Sequence, residues 1–232
     1  MPAIRDALGL TPSEVGLALL ASAVGSIASI PVVSRLSVRF GSDAVLSLSL
    51  PVMAVGALAL GAASSYALLV AAAVLAGACL GATDVAMNSQ ASVEERRSGE
   101  PVMARMHAGW SFGSALGAGI AALTAALGAP VIVTMAIGSV LLVGAWAPAR
   151  SSYIPDAADS GQAEGGRTRI RLPRIVLLIG VLMALAYLIE GAVIGWSTLY
   201  LHDVFGVAAW LAAAGYLAYE IAMVLGRLAG DW

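Results

Sequence analysis

The chain has 232 residues, 60% of them apolar and 11% charged, with a formal charge of -2 at pH 7. Soluble domains run at roughly 45–50% apolar and about 25% charged, so this composition places the chain in a lipid bilayer. The near-neutral charge and the lack of a basic tail give no basis for a nucleic-acid partner, and a single Cys79 with two histidines, His107 and His202, leaves no internal disulfide, metal centre or other cofactor to expect.

Met1 to Leu10 is mildly amphipathic and lacks the apolar core and small-residue cleavage site of a secretory signal, so the first hydrophobic run is expected to be retained. Thr11-Pro12-Ser13-Glu14 reads as a capping box, with Thr11 at the N-cap, Pro12 at the first helical position and Glu14 reaching back. The helix starting there is expected to reach about Leu36. Roughly 20 apolar residues cross a hydrocarbon core of about 30 Å. The same length test yields six more spans, at about Ala44 to Ala63, Tyr66 to Asn88, Met106 to Leu127, Pro130 to Ala147, Ile175 to Tyr200 and Ala208 to Leu228. The expected fold is an all-α membrane protein with seven transmembrane helices.

Eleven of the twelve basic residues, all of them Arg, fall on alternate connections: Arg35 and Arg39, then Arg96, Arg97 and Arg105, then Arg150 to Arg174, and finally Arg227. Only Arg5 lies opposite. By the positive-inside rule the arginine-rich face is cytoplasmic, and the expected location is a bacterial cytoplasmic membrane. Residues 149–174, rich in Ser, Gly and Asp and then basic, read as a cytoplasmic linker. It separates residues 1–148, with five spans, from 175–232, with two. Gly77 and Gly81, and again Gly109, Gly113 and Gly117, recur every four residues, a spacing that lets helices in lipid approach closely.

The stretch from Gly81 to Gly119 carries the densest polar cargo. An apolar helix bears Asp84 and Asn88 near its end, a charged loop is expected after it, and a second helix opens on His107, with Trp110 and Ser111 following. Intramembrane carboxylates are expensive and mark functional sites by default. Glu190, past the middle of its span, is the residue type that exchanges protons within a membrane, with a helix–helix hydrogen bond as the structural alternative. Glu220 is a further carboxylate inside a span. Asp84 and Asn88 share a face at four-residue spacing, where Asp84 serves either as a substrate or gating group or in a pairing with His107 or Arg105 across a helix contact. Gly109-Trp110-Ser111-Phe112-Gly113 fits the nucleophile-elbow pattern, but that motif needs a strand-to-helix turn and here lies inside a membrane helix. No enzyme activity and no catalytic residue are expected.

Ser34 to Gly41 (SRLSVRFG) and Gly226 to Trp232 (GRLAGDW) both follow a span, and Arg35-Leu36 aligns with Arg227-Leu228. Parallel halves joined by a cytoplasmic linker are a transporter pattern. Together with Gly81, Asp84, Asn88, Gln90 and Glu94, then His107, Trp110, Ser111 and Gly113, and the run Glu190-Gly191-Ala192 to Trp196-Ser197, these residues make the chain similar to the major facilitator superfamily, within its sugar-permease-like branch.

The resemblance implies a partial fold in which the seven spans correspond to family helices two to eight, with the first helix and the last four absent. It implies secondary active transport of a small polar solute, sugar-like and proton-coupled, by alternating access. The competing expectation is a truncated, non-transporting fragment or assembly subunit. Implied site residues are Glu190 and Asp84 for proton coupling; Asn88, His107, Trp110, Ser111, Trp196 and Glu220 for substrate; and Arg35, Arg39, Gly41, Arg227 and Asp231 for gating. Two departures stand out: Ser34 replaces the glycine that opens the family's interhelical loop, and Gly195 stands where the seventh family helix carries Asp. Oligomeric state is open.

Overall fold

A computed structural model of the chain describes residues 2–156 and 173–229. Most of the expected linker, and Asp231, lie outside the described residues. The helices among those described are α1 (Pro2–Leu8), α2 (Pro12–Phe40), α3 (Ser42–Gly61), α4 (Tyr66–Ser98), α5 (Met103–Ala126), α6 (Val131–Ala149), α7 (Arg174–Phe205) and α8 (Ala209–Ala229), with no strand among them.

All seven long helices expected from the sequence form, but among the described residues six rather than seven are long and apolar enough to cross a membrane. The exception is α5. It has 24 residues, yet glycine, alanine and serine take the place of the leucine and valine that make its neighbours apolar. Large apolar side chains elsewhere face outward, including Ile175, Leu178, Leu182 and Leu188 along the first half of α7. A soluble protein does not leave so much apolar surface in water. The chain is a multi-pass membrane protein.

Local chemistry sets the helix ends. The Thr11 backbone N–H donates to Glu14 Oε2 at 2.8 Å and the Glu14 N–H to Thr11 Oγ1 at 3.3 Å, so the capping box forms as expected. The charged loop expected after Asn88 is helix instead. Glu94, Glu95, Arg96 and Arg97 are all compatible with a helix, and α4 runs on until Gly99 adopts φ 73° at its C-cap. Glu95 then accepts hydrogen bonds from the Val102 and Met103 N–H groups at 2.9 and 3.0 Å, satisfying donors at the start of α5. Ser34 to Phe40, expected as interhelical loop, likewise continues α2, and the turn is confined to Gly41 with φ 90°, a conformation that favours glycine.

Packing follows small residues. A Cβ on Gly77 would sit 1.9 Å from the Ser22 carbonyl oxygen, one on Gly25 2.3 Å from that of Val74, and one on Gly81 2.6 Å from that of Ser26. Helices α2 and α4 therefore meet backbone to backbone. The second row behaves differently: Gly109, Gly113 and Gly117 have nothing within 4 Å of an added Cβ. Their expected packing role is not realised within the described residues. Helix α3 packs on α4 and α6, while α5 lies along α8, which also contacts α7.

Each end of the bundle is tied by polar groups. At one end Arg5 of α1 pairs with Asp203 of α7 and with Asp6. The Asp203 hydrogen bond first, then that to Asp6, raises the guanidinium above its ordinary value. At the other end Gln90 clamps the chain beyond α6, its Nε2 donating to the Ile154 carbonyl and its Oε1 accepting from the Ile154 N–H, both at 2.8 Å. Asp156 accepts from the Ser42 N–H and hydroxyl at 2.6 and 2.7 Å, capping α3 where Gly41 supplies no side chain. Tyr153 packs beside Val33, Val45, Leu46 and Ala86, and burial pushes its phenol up.

Candidate functional site

Helices α2, α4, α5, α7 and α8 line a cavity of about 540 Å³, with Ser26, Asp84, His107, Trp110, Tyr187, Glu190 and Arg227 on its walls and Leu80, Met183 and Met223 among its apolar lining. Four of the residues singled out in the sequence for proton coupling or substrate thus meet Arg227 in one space.

A hydrogen-bonded chain runs along one side. Asn88 Nδ2 donates to Asp84 Oδ1 at 3.2 Å and to the Asp84 carbonyl at 2.9 Å. That fixes the amide orientation and leaves Asn88 Oδ1 as an acceptor, 3.2 Å from His107 Nε2. His107 therefore donates from Nε2. Asp84 forms no hydrogen bond or ion pair with His107 or Arg105 among the described residues; Arg105 donates instead to the Pro101 carbonyl.

On the other side stands Arg227. Its Nη2 donates to Glu190 Oε1 at 3.3 Å, and its Nη1 to the His107 carbonyl at 3.2 Å and to the Ser111 hydroxyl. Ser111 is almost fully buried. One guanidinium thus ties α8 to both α5 and α7, using the multi-donor geometry particular to arginine. The sequence repeat pairs Arg227 with Arg35, yet Arg35 and Arg39 are exposed, and Arg39 lies over the Phe40 ring, 4.9 Å from its centroid. The expected gating residues do not form one cluster among the described residues.

Two further expected site residues lie away from the cavity. Trp196 is 44% exposed, and a Cβ on Gly16 would lie 3.6 Å from its ring. Glu220 is buried and accepts a hydrogen bond from Tyr216, whose hydroxyl is also 3.2 Å from Ser114 Oγ. Tyr216 and Ser114 belong to a second cavity, of about 450 Å³, whose polar lining is hydroxyls, Thr124, Thr134 and Thr198 among them. Ile194 lines both cavities. Sequence reasoning missed Tyr187, although its place three residues before Glu190 puts it on the same helix face.

The profile of the Major Facilitator Superfamily matches residues 1–232. The chain is 35% identical over 232 residues to a protein of Sinorhizobium fredii described as an uncharacterized transporter, covering all of this chain and 61% of that protein. It is 30% identical over 231 residues to an uncharacterized MFS-type transporter of Yersinia pestis, covering 59% of it. With the membrane protein MosC of Rhizobium meliloti the identity is 29% over 234 residues, covering 56% of that chain. The chain therefore spans less than two thirds of the length of these relatives. No solved structure matches it. An all-helical, multi-pass chain matched from its first residue to its last by one family profile belongs to that family, the major facilitator superfamily.

Proposed function

We propose that this chain is the part of a secondary transporter that moves a small polar, sugar-like solute together with protons across a bacterial cytoplasmic membrane. The observation that carries the reading is the shared cavity, in which Asp84, His107, Trp110, Glu190 and Arg227 converge from four helices. Its volume is within the range of about 300–1,000 Å³ common for small-molecule sites. An aromatic face beside hydrogen-bonding groups suits a sugar ring. The face bearing Arg35, Arg39, Arg96 and Arg97 is cytoplasmic in this reading.

Glu190 is the coupling carboxylate. Deprotonated, it holds Arg227; protonated, it gives up the ionic part of that contact and loosens α7 from α8. Transport requires two arrangements of the helices about the solute, and an ion pair that one proton breaks is a way to bias them. Asp84, tied through Asn88 to His107, lies on the opposite wall.

The test uses proteoliposomes holding the full chain and a trapped pH dye. Adding glucose, inositol or glucosamine outside is expected to move protons with at least one of them, and Glu190→Gln is expected to abolish the proton signal while the variant still inserts. A silent wild-type chain with all three solutes, or an unchanged proton signal in Glu190→Gln, overturns the assignment.

A further inference from the structure

Two carboxylates, of Asp84 and Glu190, line the cavity with the His107 imidazole and the single guanidinium of Arg227, which is already committed to Glu190, Ser111 and the His107 carbonyl. Asp84 forms no ion pair among the described residues: its carboxylate is held by the uncharged amide of Asn88, 3.2 Å away. The His107 ring reaches Asn88 and not Asp84. Beside this carboxylate, Trp110 and Tyr187 line the same space.

A carboxylate without a counter-ion in an apolar setting is costly, and the cost falls when a cation arrives. Aromatic faces add attraction for such a cation, most strongly for Trp. An anionic solute would bring a further negative charge against an Asp84 carboxylate that has no ion pair among the described residues. A neutral sugar would leave Asp84 uncompensated. The group that answers both features is a protonated amine.

We infer that the solute taken by this cavity is a small hydroxylated amine, of the amino-sugar type, with its ammonium seated on Asp84 beside Trp110 and Tyr187. The inference rests on the transport reading above and adds the charge of the solute to it. Asn88 and His107 orient the Asp84 carboxylate, and Arg227 keeps Glu190 from competing for the ammonium.

Three hexoses of the same ring size separate the alternatives. Calorimetric titration of the purified full chain in lipid nanodiscs at neutral pH, with glucosamine, glucose and glucuronate as probes, is expected to give glucosamine at least tenfold tighter binding than glucose, with glucuronate weakest. Asp84→Asn is expected to bring the glucosamine-to-glucose ratio to within twofold of unity, and Asp84→Glu to retain the preference; circular dichroism checks that both variants fold. Equal binding of glucosamine and glucose, a preference for glucuronate, no binding of any probe, or a preference that survives Asp84→Asn each overturns the inference. Proton-linked flux without amine preference leaves the transport reading standing and removes this one. Amine preference without such flux does the reverse.

Discussion

Asn88 connects the two polar residues that the sequence places on successive helices, Asp84 on α4 and His107 on α5, and its amide serves each with a different atom. Replacing it by leucine removes the acceptor from the His107 N–H and the donor from Asp84, while the side-chain bulk is nearly kept. A hydrogen bond to a charged group contributes about 1.5–3 kcal/mol, so Asn88→Leu is expected to weaken hexose binding roughly tenfold or more, measured by the same titration. Unchanged affinity would show that the Asp84 carboxylate needs no orientation. Glu190 and Asp84 are recognisable from the sequence because a carboxylate in an apolar run is conspicuous. Arg227 is harder: read in the sequence as a gating residue at a span end, it turns inward because Ser111, Glu190 and the His107 carbonyl offer it partners across α5 and α7. Such partners lie 37 to 120 positions away along the chain, and no local pattern announces them.

At the scale of helices, glycine does opposite things in two rows of the same spacing. On α4, Gly77 and Gly81 accept the backbone of α2 at distances that no side chain tolerates. On α5, Gly109, Gly113 and Gly117 face open space. Gly77→Val is therefore expected to lower stability by at least about 1–3 kcal/mol, the usual effect of overpacking. Gly113→Ala should leave stability unchanged or raise it slightly, since alanine favours helix over glycine. Thermal unfolding in detergent measures both. Equal losses in the two variants would contradict the assigned contact between α2 and α4. Helix positions are legible in the sequence because hydrophobic length and the Thr11–Glu14 box are local signals. The charged end of α4 is not, because polar residues read alike in a loop and on a solvated helix. Gln90 shows a related limit: its residue type is visible, but its clamp on Ile154 depends on how the chain returns beyond α6.

For the molecule as a whole, the apolar exterior, the two cavities and the polar ties at both ends describe a membrane bundle whose interior polar groups gather at its cavities. The charged cavity and the hydroxyl-lined one share Ile194 as a lining residue. Arg5 and Asp203 join α1 to α7 at one end, while the Gln90 clamp and Asp156 hold the chain beyond α6 to α3 and α4 at the other. A carrier needs both order and movement, and in the transport reading proposed above the Glu190–Arg227 pair is the contact that a proton would release. The most direct measurement is accumulation of labelled hexoses by proteoliposomes of the full chain under an imposed pH gradient. Accumulation above the outside concentration, abolished by a protonophore and by Glu190→Gln, is the expected result. Equilibration without accumulation, or no entry of any hexose tested by a chain confirmed intact and inserted, would contradict proton-coupled transport by this polypeptide.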